Sequence, residues 1–333
     1  MNQQMGNKST LRLLFLMWLV FLIFPWVSPN GYITSLGIMF CINIMLISSL
    51  NLVMGYCGQI SLCHGGFFGL GAYVSGVISA KYGFPVVFGV FSAVAIAALS
   101  SLIVALPTLR LRGHYLAMAT LGFGVILSVL FVELVDITGG PNGLSGIPPI
   151  TLFGLSFESN KSFFYVAWAV SLLVMWVIFN LVNSRVGRAM TSVATSEIGA
   201  ASLGVNTYMM KVKVFVLSAS IAALSGALYT HYNQFASPET FGFFTSVMLV
   251  MMVALGGWGS YWGPFFGAIV FTVVPELLRS FHDLELFIFG FSMIIVLMFY
   301  PGGIAAIFKK IRFPKSKKNN HSELLQKVEA KNG

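Results

Sequence analysis

Ten apolar runs, joined by short polar or basic connectors, dominate this chain and leave a water-soluble fold no means of hiding them. With soft ends they cover residues 11–27, 32–54, 67–80, 84–106, 115–135, 163–182, 212–232, 243–255, 265–278 and 286–300. A straight crossing of the hydrocarbon layer takes about 20 residues. The longer runs therefore read as spanning helices, and the shorter ones as tilted, extended by their flanks, or broken. Only 9% of the chain is charged and 57% is hydrophobic, whereas a soluble domain is about 25% charged. The expectation is an all-α polytopic membrane protein with about ten transmembrane helices, some of them broken at glycine-rich stretches. Residues 1–308 would form the transmembrane domain and residues 309–333 a basic polar tail.

The net charge of +9 could suit a nucleic acid, but its distribution argues against one. Arg110 and Arg112, then Arg185, Arg188, Lys211 and Lys213, then Lys309, Lys310, Arg312, Lys315, Lys317 and Lys318 alternate with the runs. Asp136, Glu158, Glu239, Asp283 and Glu285 fall in the other connectors. Ten spans with a cytoplasmic N-terminus put every basic cluster, the region 185–206 and the C-terminus in the cytoplasm, as the positive-inside rule requires. Lys8 and Arg12 precede the first run, but no small-residue cleavage site follows, so that run reads as a retained helix rather than a leader. Cys41, Cys57 and Cys63 have neither zinc-site nor disulfide spacing and read as small core residues.

Glycine is concentrated in two places. Gly55, Gly58, Gly65, Gly66, Gly69 and Gly71 precede and enter the third run, and Gly256, Gly257, Gly259, Gly263 and Gly267 lie between the eighth and ninth. Residues 65–69 (GGFFG) and 263–267 (GPFFG) look alike, a short match that points to an internal repeat. Two interpretations stay open. Gly65 with Gly69, and Gly263 with Gly267, have the spacing that lets helix backbones pack closely. Alternatively, Gln59, Ser61 and His64 line a watery path beside a helix broken at membrane depth, where freed backbone groups meet a zwitterionic solute, with Gly65, Gly69, Tyr73 and the outer-loop Asn142 as further candidates for the path.

Few charges enter the runs. Glu276 and Arg279 are three residues apart and can neutralise each other on one helix face. Glu133 and Asp136 end the fifth run near the outer interface. In the 183–210 connector, Thr195 or Ser196 can cap a helix, Glu197 suits its first turn, and Gly204 can close it. A free helix of about eight residues follows, which either docks in a partner's groove or lies along the surface as a connector. The chain holds no phosphate-cradling G-x-x-x-x-G-K-[ST] loop, no H-E-x-x-H and no G-x-S-x-G. Neither catalytic nor metal-ligating residues are expected.

At residues 58–73 (GQISLCHGGFFGLGAY) the chain resembles the permeases of branched-chain amino-acid ABC importers, the LivH/LivM family. Residues 187–189 with 197–204, 254–268 (ALGGWGSYWGPFFGA) and 275–279 (PELLR) resemble further blocks of that family. Residues 299–303 (FYPGG) resemble its closing block, with Tyr300 and Gly303 departing from it. The outer loop 138–149 makes the chain look more like the LivM-type subunit than its LivH-type partner. The resemblance implies a bacterial inner-membrane subunit working with a second, LivH-type permease, two cytoplasmic ATPases that bind the ATP, and an extracytoplasmic solute-binding protein. It implies no cofactor of the chain's own. It assigns Arg188, Ser196, Glu197, Ala200, Ala201 and Gly204 to ATPase coupling. Sister systems carry urea or short amides, so urea is the alternative solute. A transporter or channel without ATPases would leave the docking helix unexplained, and a membrane enzyme would need a catalytic cluster.

Overall fold

The computed structural model describes residues 30–278, except 112, 153 and 154, together with residues 18, 21–26, 28, 287, 290, 291 and 298. Arg112, Arg279 and the tail 309–333 lie outside the described residues, as do most of the runs 11–27 and 286–300.

The apolar runs become helices with ends close to those expected. They are α1 (Gly31–Asn51), α2 (His64–Ala80), α3 (Val86–Thr108), α4 (His114–Glu133) and α5 (Asn160–Asn183). Next come α6 (Arg185–Thr195) and α7 (Glu197–Ser202), then α8 (Thr207–Asn233), α9 (Phe243–Gly256) and α10 (Gly263–Leu278). Among the described residues, five helices are long and apolar enough to cross a membrane: α1 with the π turn that extends it, α3, α4, α5 and α8. α9 and α10 are shorter apolar helices.

Burial sorts the helices into an inner and an outer set. α1 is 83% buried over its apolar window, against 28% for α3 and α4. α3 and α4 turn Phe91, Leu99, Ile103, Met118 and Ile126 outward. In a bilayer such residues face lipid rather than water.

α2 and α8 form the central pair. His64 bonds Ser218, Gly71 meets Ala223, and Ser75 bonds His231, so the two helices run parallel. A Cβ at Gly226 would overlap the Phe68 carbonyl, and one at Gly71 would overlap Ala223. Bare glycine faces are what bring the two backbones together where hydrophobicity cannot drive association. α9 and α10 form a hairpin in the same way: Gly256 faces Gly263, and a Cβ at Gly267 would come within 2.7 Å of the Met252 carbonyl.

The loop beyond α4 is ordered by turns, as its glycines and prolines predict. A single turn Val135–Thr138 and a 3-10 turn Gly140–Asn142 lead into β1 (Leu144–Ser145). β1 pairs antiparallel with β4 (Phe235–Ala236), placing Leu144 opposite Ala236. β2 (Thr151–Leu152) and β3 (Leu155–Ser156) form a minimal hairpin.

Candidate functional site

The two glycine-dense stretches, some 200 residues apart in sequence, meet in space. α1 ends in a π-helical turn, Leu52–Tyr56. Such turns recur where a helix is broken for function. Beside it the Asn51 amide donates to the Ser260 carbonyl at 3.0 Å and accepts from the Gly259 N–H at 3.1 Å. Gly55 lies so close to Gly259 that a Cβ would overlap the Gly259 backbone. Gly58 then reverses the chain at φ 68°, a conformation that favours glycine, and the Gln59 N–H closes the turn on the Val53 carbonyl at 3.0 Å.

From there residues 57–63 run without helix to the start of α2. His64 is level with Ser218, about 16 Å from the start of α8 and about 22 Å from its end at 1.5 Å per residue. α2 therefore begins near mid-depth. Backbone groups freed there need partners, and distant side chains supply them. Thr120 of α4 accepts from the Leu62 N–H at 3.2 Å, and Ser246 of α9 accepts from the Gly65 N–H at 3.0 Å.

His64 is fully buried at this break. Its Nδ1 lies 2.9 Å from the Ser61 hydroxyl and its Nε2 lies 2.6 Å from the Ser218 hydroxyl. Ser218 donates its hydrogen to the Ser49 carbonyl, so it accepts from His64 Nε2–H, and Ser61 donates to the bare Nδ1. A neutral imidazole thus ties α2 to α8 and, through Ser218, to α1. Gln59 is also buried, and its Oε1 has no hydrogen-bond partner among the described residues, a state that costs about 1–3 kcal/mol. Above the break, Phe241 packs against Phe68, Tyr73, Phe131 and Tyr229. Gly69 leaves room for it, since a Cβ there would come within 2.5 Å of Phe241.

The cytosol-assigned connector holds two helices where the sequence suggested one. Ser184 caps α6, and Ser196 caps α7 by accepting from the Gly199 N–H at 3.1 Å. Gly204 follows α7 at φ 80°. α7 has six residues rather than the expected eight or so, because its last turn closes early: the Val205 N–H returns to the Ala200 carbonyl at 3.1 Å. The polar surface of α6 concealed it from an argument based on apolar runs. Ala200 is buried, whereas Ile198 and Leu203 are 76% and 81% exposed. Glu197 forms an ion pair with Lys211 of α8. Gly58 packs against Ala194 of α6, with 3.2 Å from its would-be Cβ to the Ala194 Cα. The connector thus touches the break directly and α8 through an ion pair.

Of the proposed path residues, Gln59, Ser61, His64 and Gly65 gather at the break. Gly69 and Tyr73 lie further along α2, where Tyr73 stacks on Phe131 and donates to the Ala236 carbonyl at 3.2 Å. Asn142 is exposed in the loop between α4 and α5 and apart from them. Gly263 and Gly267 sit in the α9–α10 hairpin. Arg188, Ser196, Ala201 and Gly204 are exposed on the α6–α7 region. Ser49, Asn51, Ser218 and Ser246 complete the site and were not singled out from sequence. Asn51, a polar residue bordering a glycine cluster, carried a usable signal, whereas serines inside apolar helices carried none.

The sequence profile of the family described as "Branched-chain amino acid transport system / permease component" matches residues 32–297. A protein of Salmonella typhimurium named "High-affinity branched-chain amino acid transport system permease protein LivM" is 33% identical over 87% of this chain and 74% of its own length. The Escherichia coli protein of the same name is 34% identical over 84% and 71%. The Salmonella typhimurium LivH permease protein is 26% identical over 76% of this chain and 87% of its own. No solved structure matches the chain. The chain belongs to the branched-chain amino acid transport system permease family.

Proposed function

We propose that this chain is the LivM-type permease subunit of an ABC importer that carries branched-chain amino acids across a bacterial inner membrane. The names of its relatives support leucine, isoleucine and valine over urea. In this proposal a LivH-type permease completes the pathway and an extracytoplasmic protein delivers the solute. Two cytoplasmic ATPases bind and hydrolyse the ATP. The chain makes about ten crossings with both termini in the cytoplasm.

The observation that carries the mechanism is the α6–α7 pair, which presents exposed Ile198 and Leu203 while touching the break. ATPase closure moves this pair. Ala194 then presses on Gly58, and Glu197 pulls on Lys211. α8 carries Ser218 with it, so the hydrogen bonds joining α1, α2 and α8 at His64 reorganise and the break opens to the solute. Gln59, with its unpartnered acceptor, is positioned to meet the solute's ammonium.

The test is uptake of labelled leucine and of urea by the assembled importer in proteoliposomes. Leucine uptake that requires ATP is expected, and uptake of urea in its place would overturn the assignment. Glu197→Lys sets two cations together at α7, and it should cut uptake at least about tenfold while ATP hydrolysis and membrane insertion persist. Unchanged uptake in that variant would remove α7 from the mechanism.

A further inference from the structure

At the end of the bundle remote from α6 and α7 lies a cavity of about 250 Å³, lined among others by Phe157, Glu158, Phe163, Tyr232, Asn233 and Gln234. Its lining carries one carboxylate, that of Glu158, among amide, imidazole and phenol groups. Glu158 makes no ion pair among the described residues. The neighbouring cation is engaged elsewhere, since the Lys161 ammonium sits 5.6 Å from the centre of the Trp26 ring. Asn233 donates its Nδ2 to the Tyr229 carbonyl at 3.0 Å, which leaves its Oδ1 to accept. Tyr232, Asn233 and Gln234 form the C-terminal end of α8, a helix of 27 residues, where the backbone dipole favours positive charge.

The walls are fixed before any ligand arrives. His231 bonds the Pro148 carbonyl through Nδ1 at 2.7 Å and Ser75 through Nε2 at 2.8 Å. Asn160 donates to the Gly31 carbonyl at 3.2 Å and to Ser35 at 3.1 Å. Gln234 is held at φ 55°, the only non-glycine positive φ among the described residues. Backbone held in a sparsely populated region collects at ligand-binding sites. Phe157 and Phe163 add an apolar wall beside the acceptors.

We propose that this cavity binds the ammonium group of a small aliphatic primary amine, the amino end of an amino acid, with its hydrocarbon against the two phenylalanines. This rests on the amino-acid reading above and gives the solute a first station on the outer side. Glu158 and Asn233 Oδ1 receive the ammonium, and the end of α8 adds its field.

The test measures binding of L-leucine, isoamylamine and 4-methylpentanoate to the full chain in lipid nanodiscs by titration calorimetry. Leucine and isoamylamine should bind and 4-methylpentanoate should not. Glu158→Gln should weaken the amines by about tenfold or more, and Asn233→Asp, which adds a second carboxylate, should tighten them. Both side chains are exposed, so neither change threatens the fold. The site is overturned if isoamylamine does not bind, if both variants bind like the parent chain, or if the carboxylate alone binds equally well. Leucine uptake by the assembled importer reads the transport function separately. Uptake without amine binding removes this site only, whereas amine binding without leucine uptake removes the transport assignment and leaves the site.

Discussion

At the scale of single residues, glycines divide by what their missing Cβ would meet. Gly226 lies against the Phe68 carbonyl, whereas nothing stands within 4 Å of Gly122. Gly226→Val must drive α2 from α8, and overpacking of this kind costs about 1–3 kcal/mol. The midpoint of thermal unfolding in detergent should fall clearly for Gly226→Val. It should stay nearly unchanged for Gly122→Ala, where the helix gains a better former. Equal shifts would mean that the α2–α8 contact is not what holds the core. Sequence spacing flagged Gly65, Gly69, Gly263 and Gly267, but Gly226 stands alone among small residues of α8. Only the partner helix reveals its importance. His64 was legible as a polar residue at a break, but its partner Ser218 lies 154 positions away, beyond what local pattern can report.

At the scale of elements, α7 is too short to persist by helix propensity alone. It depends on the Ser196 cap, the turn at Gly204 and the Lys211 ion pair. Ser196→Ala removes a cap worth about 1 kcal/mol. Transport per ATP hydrolysed should fall several-fold in proteoliposomes while the amount of assembled complex is unchanged. An undiminished transport ratio would show that α7 needs no cap to act. The cap and the glycine turn were readable because both are local, whereas the Lys211 ion pair was not. The same reasoning missed α6, which follows the end of α5 without an apolar run of its own. It also missed the π turn at Leu52–Tyr56, whose residues are ordinary for an α-helix. Contact with Gly259, far along the chain, distinguishes that turn.

At the scale of the whole molecule, apolar runs located most described helices to within a few residues, because the bilayer makes hydrophobic length nearly equivalent to crossing. They were silent on which helices lie inside, since lipid-facing and buried faces are equally apolar. α1 and α3 read alike, yet one is central and the other peripheral. The connector charges predict that α6 and α7 face the cytosol and the 137–162 loop faces the other side. Cys41, Cys57 and Cys63 are all buried, so a single introduced thiol can be labelled without removing them. A membrane-impermeant maleimide should reach Asn142→Cys from outside intact cells and Ile198→Cys only after the membrane is opened. Labelling of both from the same side would leave the proposed ATPase nothing to grip.

α8 is moored at both extremities: Lys211 at one, and the Leu144–Ala236 ladder with the His231–Pro148 bond at the other. About 30 Å of unbroken helix between Lys211 and His231 behaves as a stiff rod rather than a chain of relays. A displacement of its Lys211 end is felt at its His231 end in the same stroke. In the proposed importer, release at one face and admission at the other are then opposite phases of a single swing.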